Sequence, residues 1–188
     1  MEAFAIGFRN PWGNVCFTEA GHAFHTDNDA DGAPGFVYCR LVHLVEGGDH
    51  GWRTRPGAVC CTPDPDRAAW NGEKPGRLPY LHDTGRGAPA GVCVYEGEAF
   101  PGRFRGLLIQ PDVFRKLVRG YRVRPRGASF EMLEEVELLK SEDGIFRPCD
   151  AEVGPDGAVY VLDWAKDSPG GSQRSGDGVH GRLYRLSW

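Results

Sequence analysis

Two stretches near opposite ends of this chain repeat each other, and an internal repeat limits architecture more than any other sequence feature. The first runs Gly7-Phe8-Arg9-Asn10-Pro11, then Val15-Cys16-Phe17, Gly21, and Phe24 to Asp27. The second is a weaker copy: Ala151-Glu152-Val153, Pro155-Asp156-Gly157, then Val159 to Asp163. Setting Gly21 on Gly157 places Phe24 on Tyr160 and Asp27 on Asp163 without a gap. Each copy then leads to a second short apolar run, Arg40-Leu41-Val42-His43-Leu44 in one and Arg182-Leu183-Tyr184-Arg185-Leu186 in the other.

Short apolar runs separated by turn residues fill the rest of the chain. Its 27 glycines and 14 prolines are scattered between those runs, as in an all-β protein with many turns. The spacing predicts strands over 3–8, 14–17, 22–26, 36–45, 91–95 and 104–109. Val113, Leu117, Val118 and Tyr121 have helical spacing, but Gly120 interrupts them, and two strand pieces are expected over 113–123. Met132 to Leu139 favours helix by propensity and strand by its place in the repeat. The segment 49–90 reads as a long irregular loop, either a functional excursion or the cover for an unseen strand. Three groups of up to four short strands, at 1–48, 91–140 and 145–188, predict one partial β-propeller domain of four-stranded antiparallel blades, about three blades in all.

A net charge of -4 points to no nucleic-acid surface, and no apolar run is long enough to span a membrane. The N-terminus lacks the basic and apolar regions of a secretory signal, which leaves the compartment open. The six cysteines include no C-x-x-C, so common zinc and redox signatures are absent. Cys16 and Cys93 fall in apolar strand patterns and are expected to be buried thiols. His82-Asp83, just before a glycine-rich segment, is a candidate pocket lining. Asp27, Asn28, Asp29, Asp31 and Gly32 alternate carboxylates before a glycine, a pattern that wraps oxygen ligands around calcium. The competing reading is a solvated acidic turn.

Several motifs, taken in order, resemble the glucose/sorbosone dehydrogenase-like six-bladed propellers. The first are Arg9-Asn10-Pro11 and Gly47-Gly48-Asp49-His50-Gly51-Trp52. Phe100-Pro101, Phe104-Arg105-Gly106-Leu107-Leu108, Arg147-Pro148 to Trp164 and Gly181 to Leu186 look closer to large dehydrogenase-like proteins of planctomycete-type bacteria. The resemblance implies pyrroloquinoline quinone and calcium as cofactors, and a sugar or polyol as substrate. It implies that Arg9, Asn10, Asn28 and Arg147 contact the quinone, that Asp27, Asp29 and Asp31 bind the metal, and that the setting is extracytoplasmic.

Two features set the chain apart from that family. It matches only the C-terminal half of the propeller, so the family's upstream catalytic histidine has no counterpart here. Cys149 stands where the quinone enzymes carry a second arginine. An Arg147–Asp150 pair at a blade corner is the structural alternative. A non-catalytic carbohydrate- or protein-binding propeller and an inactive truncated fragment therefore stand beside the enzyme reading. Half a ring also predicts either the rest of a longer chain or a homodimer.

Overall fold

Turn residues cut the chain into short strands that stack as blades. The computed structural model describes residues 1–28, 39–52, 75–166 and 180–188. The first blade orders β2 (Cys16–Phe17), β3 (Ala23–Asn28), β4 (Cys39–Leu44) and β6 (His82–Asp83) from the inside outward. The second orders β7 (Cys93–Val94), β8 (Leu108–Asp112), β9 (Leu117–Arg126) and β10 (Ser129–Lys140). The third holds β11 (Pro148–Val153), β12 (Val159–Asp163) and β13 (Arg182–Leu186). Every pairing within a blade is antiparallel. The expected all-β propeller architecture is therefore present. Among the described residues no helix is long and apolar enough to cross a membrane.

The blades stack face to face. Successive residues of β8 point to opposite faces, so Leu108 packs with Phe24, Leu41 and Tyr121 toward the first blade. Ile109 joins Tyr95, Leu107, Val118, Val159 and Val161 toward the third. A central blade covered on both faces needs a continuous apolar run, which explains why Leu107-Leu108-Ile109 does not alternate. Gly13 and Gly91 carry the inner loops past each other. At Gly13, which has φ +92°, a Cβ would lie 2.4 Å from the Gly91 nitrogen.

Four expectations are altered or resolved by the structure. Residues 113–123 lie in a turn and one continuous strand, and Gly120 fits inside it because Leu107 crowds the space a side chain would need. Met132 to Leu139 is strand despite its helical propensity. Its glutamates and Glu131 meet arginines across the ladder, at Arg122–Glu134, Arg124–Glu131 and Arg119–Glu135. Two register shifts turn Val136, Leu138 and Leu139 onto the core. The outer strand of the first blade, His82–Asp83, comes from inside the predicted 49–90 loop. The predicted first strand at 3–8 shortens to β1 (Ala5–Ile6), which pairs in parallel with β5 (Gly48–Asp49).

Candidate functional site: three blade corners at one end of the sheets

The second strand of each blade carries a buried aspartate at or next to its end: Asp27, Asp112 and Asp163. Each aspartate lies opposite a proline at the start of the inner strand or just before it: Pro11, Pro89 and Pro148. Proline has no N–H for the ladder and holds the preceding residue extended. In each corner the preceding residue's N–H donates to the aspartate carboxylate. The distances are 2.9 Å for Asn10 to Asp27, 3.0 Å for Ala88 to Asp112 and 2.7 Å for Arg147 to Asp163. One carboxylate per blade thus accepts the N–H that precedes the proline, at the point where the ladder loses a donor.

The corners differ in the residue set across the ladder from the aspartate. In the first and third blades it is an arginine, and Arg40–Asp27 and Arg182–Asp163 close at 2.9 and 2.7 Å. In the second blade it is Leu117, and Asp112 instead accepts N–H groups of Phe114 and Arg115 in a tight turn. Arg40 reaches further than the pair. Its two terminal nitrogens also donate to the carbonyls of His50, at 2.5 Å, and Gly7, at 3.0 Å. His50 is fully buried and stacks on Phe8 with ring centroids 4.7 Å apart. Burial first, and the Arg40 charge second, push its pKa down to about 4, so it is neutral.

Each of the three corners joins the end of a second strand to the start of an inner strand, so all three occupy the same end of the blades. The first and third come close there. Trp12, just past Pro11, meets Trp164 edge to face at 6.3 Å, and the Trp164 N–H donates to the Arg147 carbonyl. Asn14 ties the inner strands together from below. Its side chain accepts from Val92 N–H at 3.1 Å and donates to Glu152 at 2.6 Å, while its carbonyl meets His25 Nδ1 at 2.8 Å. Burial, reinforced by Asp150, raises the Glu152 pKa.

The residues singled out from sequence divide on this frame. The Arg9 N–H donates to Asp27 at 3.0 Å, while its half-buried guanidinium sits 5.7 Å from the Trp52 ring centre and 3.4 Å from the Asn28 carbonyl. The Asn10 side chain is exposed beside it. Asn28 returns its own N–H to the Asn10 carbonyl at 3.3 Å. These three form one accessible patch. Arg147 shares the end of the blades but is buried, and its guanidinium donates to the Phe146 carbonyl at 2.8 Å. Asp27 is 0% exposed, and its two oxygens take three N–H donors at the corner of the first blade. Asp29 and Asp31 lie outside the described residues. Among the described residues no group of three histidine, cysteine or acidic side chains is arranged to hold a metal ion. His82 faces Glu135 at 3.6 Å between the first two blades, on the outer strand that pairs with Arg40 and Leu41.

A planar, carboxylate-bearing quinone fits Arg9 and Asn10, which offer a guanidinium fork and an amide on an accessible surface. It does not fit Arg147. Sequence reasoning passed over Asn14, Arg40 and Asp112. Arg40 was open to discovery, because the repeat already aligned it with Arg182 next to aligned aspartates.

The family model of a domain of unknown function, DUF7133, matches residues 2–187, and the chain belongs to that family. No curated protein matches it. Among solved structures it is similar to an oxidoreductase of glucose dehydrogenase type from Thermus thermophilus. That match has a TM-score of 0.71 and 21% identity over 98% of this chain and 47% of the other. The soluble aldose sugar dehydrogenase of Escherichia coli, in its apo form, gives 0.65 and 19% over 97% and 46%. The PQQ-bound aldose sugar dehydrogenase of Streptomyces coelicolor gives 0.64 and 15% over 98% and 45%. These likenesses show a shared propeller fold, as the sequence motifs implied. The chain spans less than half the length of the solved structures it matches.

Proposed function

We propose that this member of the DUF7133 family contributes three blades to a sugar dehydrogenase-like propeller and binds a sugar or polyol at the end of the blades where the corners meet. Arg9 and Asn10 hold pyrroloquinoline quinone there by its carboxylates. The observation that carries this reading is the convergence of the first and third corners through Trp12 and Trp164, with Arg9, Asn10 and Asn28 accessible beside them. The bound quinone supplies a two-electron acceptor for oxidation of a sugar hydroxyl. The chain's own contribution is rigidity. Asp27 fixes the Arg9 and Asn10 backbones, and Arg40 locks Asp27, so the patch is held in place before a ligand arrives. Calcium enters this reading through Asp27, Asp29 and Asp31, the alternate carboxylates before Gly32. The expected extracytoplasmic setting rests on the resemblance.

A second reading is favoured by the buried Arg147: a propeller that binds carbohydrate without oxidising it, because a single accessible arginine holds a multiply charged quinone weakly. One experiment separates them. The chain is mixed with quinone and calcium, its absorbance spectrum is recorded, and dye-coupled aldose oxidation is followed. The first reading expects a quinone band that Arg9→Ala abolishes, together with turnover. Calorimetric sugar binding with neither band nor turnover supports the second. No sugar and no quinone binding overturns both.

A further inference from the structure

The chain leaves the third corner through a strained turn. Asp163 ends β12, and Trp164, Ala165 and Lys166 follow it. Ala165 has φ +50°, in the left-handed region that a residue with a Cβ enters only at a cost, and it is 4% exposed. Its N–H donates to the Asp163 carboxylate at 2.8 Å. The same carboxylate takes the Arg147 N–H and the Arg182 side chain, each at 2.7 Å, so the corner itself holds the turn in place. The turn folds Lys166 back on its neighbour, and its ammonium sits over the Trp164 ring, 4.3 Å from the centre. Strain of this kind persists where the surroundings over-determine it, and it gathers at ligand sites.

The corner carboxylates do not serve that ammonium. Asp27 and Asp163 are both buried, and their oxygens already take N–H donors of the corners. The groups that reach the surface here are of another kind. Trp12 is 42% exposed and Trp164 37%, and they meet edge to face across the first and third blades. Arg9, Asn10 and Asn28 lie beside Trp12, and Lys166 lies on Trp164. The patch thus presents indole rings, side-chain amides and cations, with the acids of both corners turned inward.

We infer that the sugar bound at this end of the blades is a uronic acid, and that Lys166 is the residue that selects its carboxylate. The inference rests on the sugar site proposed above. A pyranose has a face rich in C–H groups that lies well on an aromatic ring, and Trp12 and Trp164 offer such rings at 6.3 Å. The Lys166 ammonium rides on a flexible four-carbon stem, so it can move from the ring face to its rim and meet a substituent of the sugar. A neutral hydroxymethyl group gives that ammonium one uncharged acceptor. A carboxylate gives it a charge and two acceptor oxygens, and charge-assisted hydrogen bonds are roughly twice as strong as neutral ones. Ala165 and Asp163 act through Lys166 as positioning residues, because their bond sets the turn that places it.

Calorimetric titration of the chain with D-glucuronate and, separately, with D-glucose tests this. Glucuronate should bind at least about tenfold more tightly at low salt. The ratio should shrink as salt rises toward about 1 M, because the charge that carries it lies near solvent. Lys166→Met should bring the two affinities together, and Lys166→Glu should invert their order. Far-ultraviolet circular dichroism of both variants should match the parent, since Lys166 is only partly buried. Equal affinity for the two sugars overturns the inference and leaves the sugar site standing. So does a preference that K166M and K166E both retain, or displacement of glucuronate by an equal concentration of acetate, which has no ring to stack. Binding of neither sugar overturns the sugar site and this inference together.

Discussion

Replacing Asp27 by asparagine tests the corner directly. The carboxylate takes N–H groups from Arg9 and Asn10 and the Arg40 guanidinium, all within 2.9–3.0 Å. Asparagine offers one acceptor oxygen in place of two, and it leaves the Arg40 charge, 1% exposed, without its counter-ion. Removing one partner of a buried ion pair costs about 3–5 kcal/mol. Arg40 keeps the Gly7 and His50 carbonyls, which puts the loss near the lower end, about 3 kcal/mol. With a urea slope of about 2 kcal/mol/M, the unfolding midpoint should fall by about 1.5 M. Glu131→Gln is the control, because it breaks a surface pair with Arg124 and Arg126 that solvent already screens. Adding Arg40→Met to Asp27→Asn should recover part of the loss, since an apolar replacement removes the stranded charge. A D27N midpoint that shifts no further than the control, or a double variant less stable than D27N, would refute the corner as the anchor of this blade.

His50 gives a pH signature. Its folded pKa of about 4 lies below the unfolded value of about 6.5, so the native state binds fewer protons between them. Its contribution is complete above pH 6.5 and is lost as pH falls toward 4, roughly 3 kcal/mol in all. Urea midpoints measured from pH 7 to pH 4 should fall less steeply in His50→Leu than in the parent, and parallel slopes would exclude the histidine. Tyr95→Phe should cost about 1–3 kcal/mol in the same assay, because the buried hydroxyl donates to the Gly157 carbonyl at 2.9 Å and accepts the Phe100 N–H at 2.8 Å. A neutral Y95F would mean that this bridge between the second and third blades contributes no stability.

The amino-acid sequence by itself determined the repeat and its alignment. Gly21 on Gly157, Asp27 on Asp163 and Arg40 on Arg182 are local patterns, and the structure turns the aligned aspartates and arginines into equivalent corners. The strand character of most of the chain was legible for the same reason, since alternation and turn residues act over a few positions. The tertiary structure decided what the aligned residues do. Asp27 looks the same in sequence whether it binds a cation or a guanidinium, and only its burial beneath Arg9, Asn10 and Arg40 makes it a corner. The outer strand His82–Asp83 is too short to signal itself and exists because β4 offers it an edge. Asn14 gathers groups as far as 138 residues away, and no pattern along the chain encodes that reach. Contacts between blades depend on how sheets stack, and stacking is set by the summed shape of both faces, so it becomes visible only once the blades are assembled.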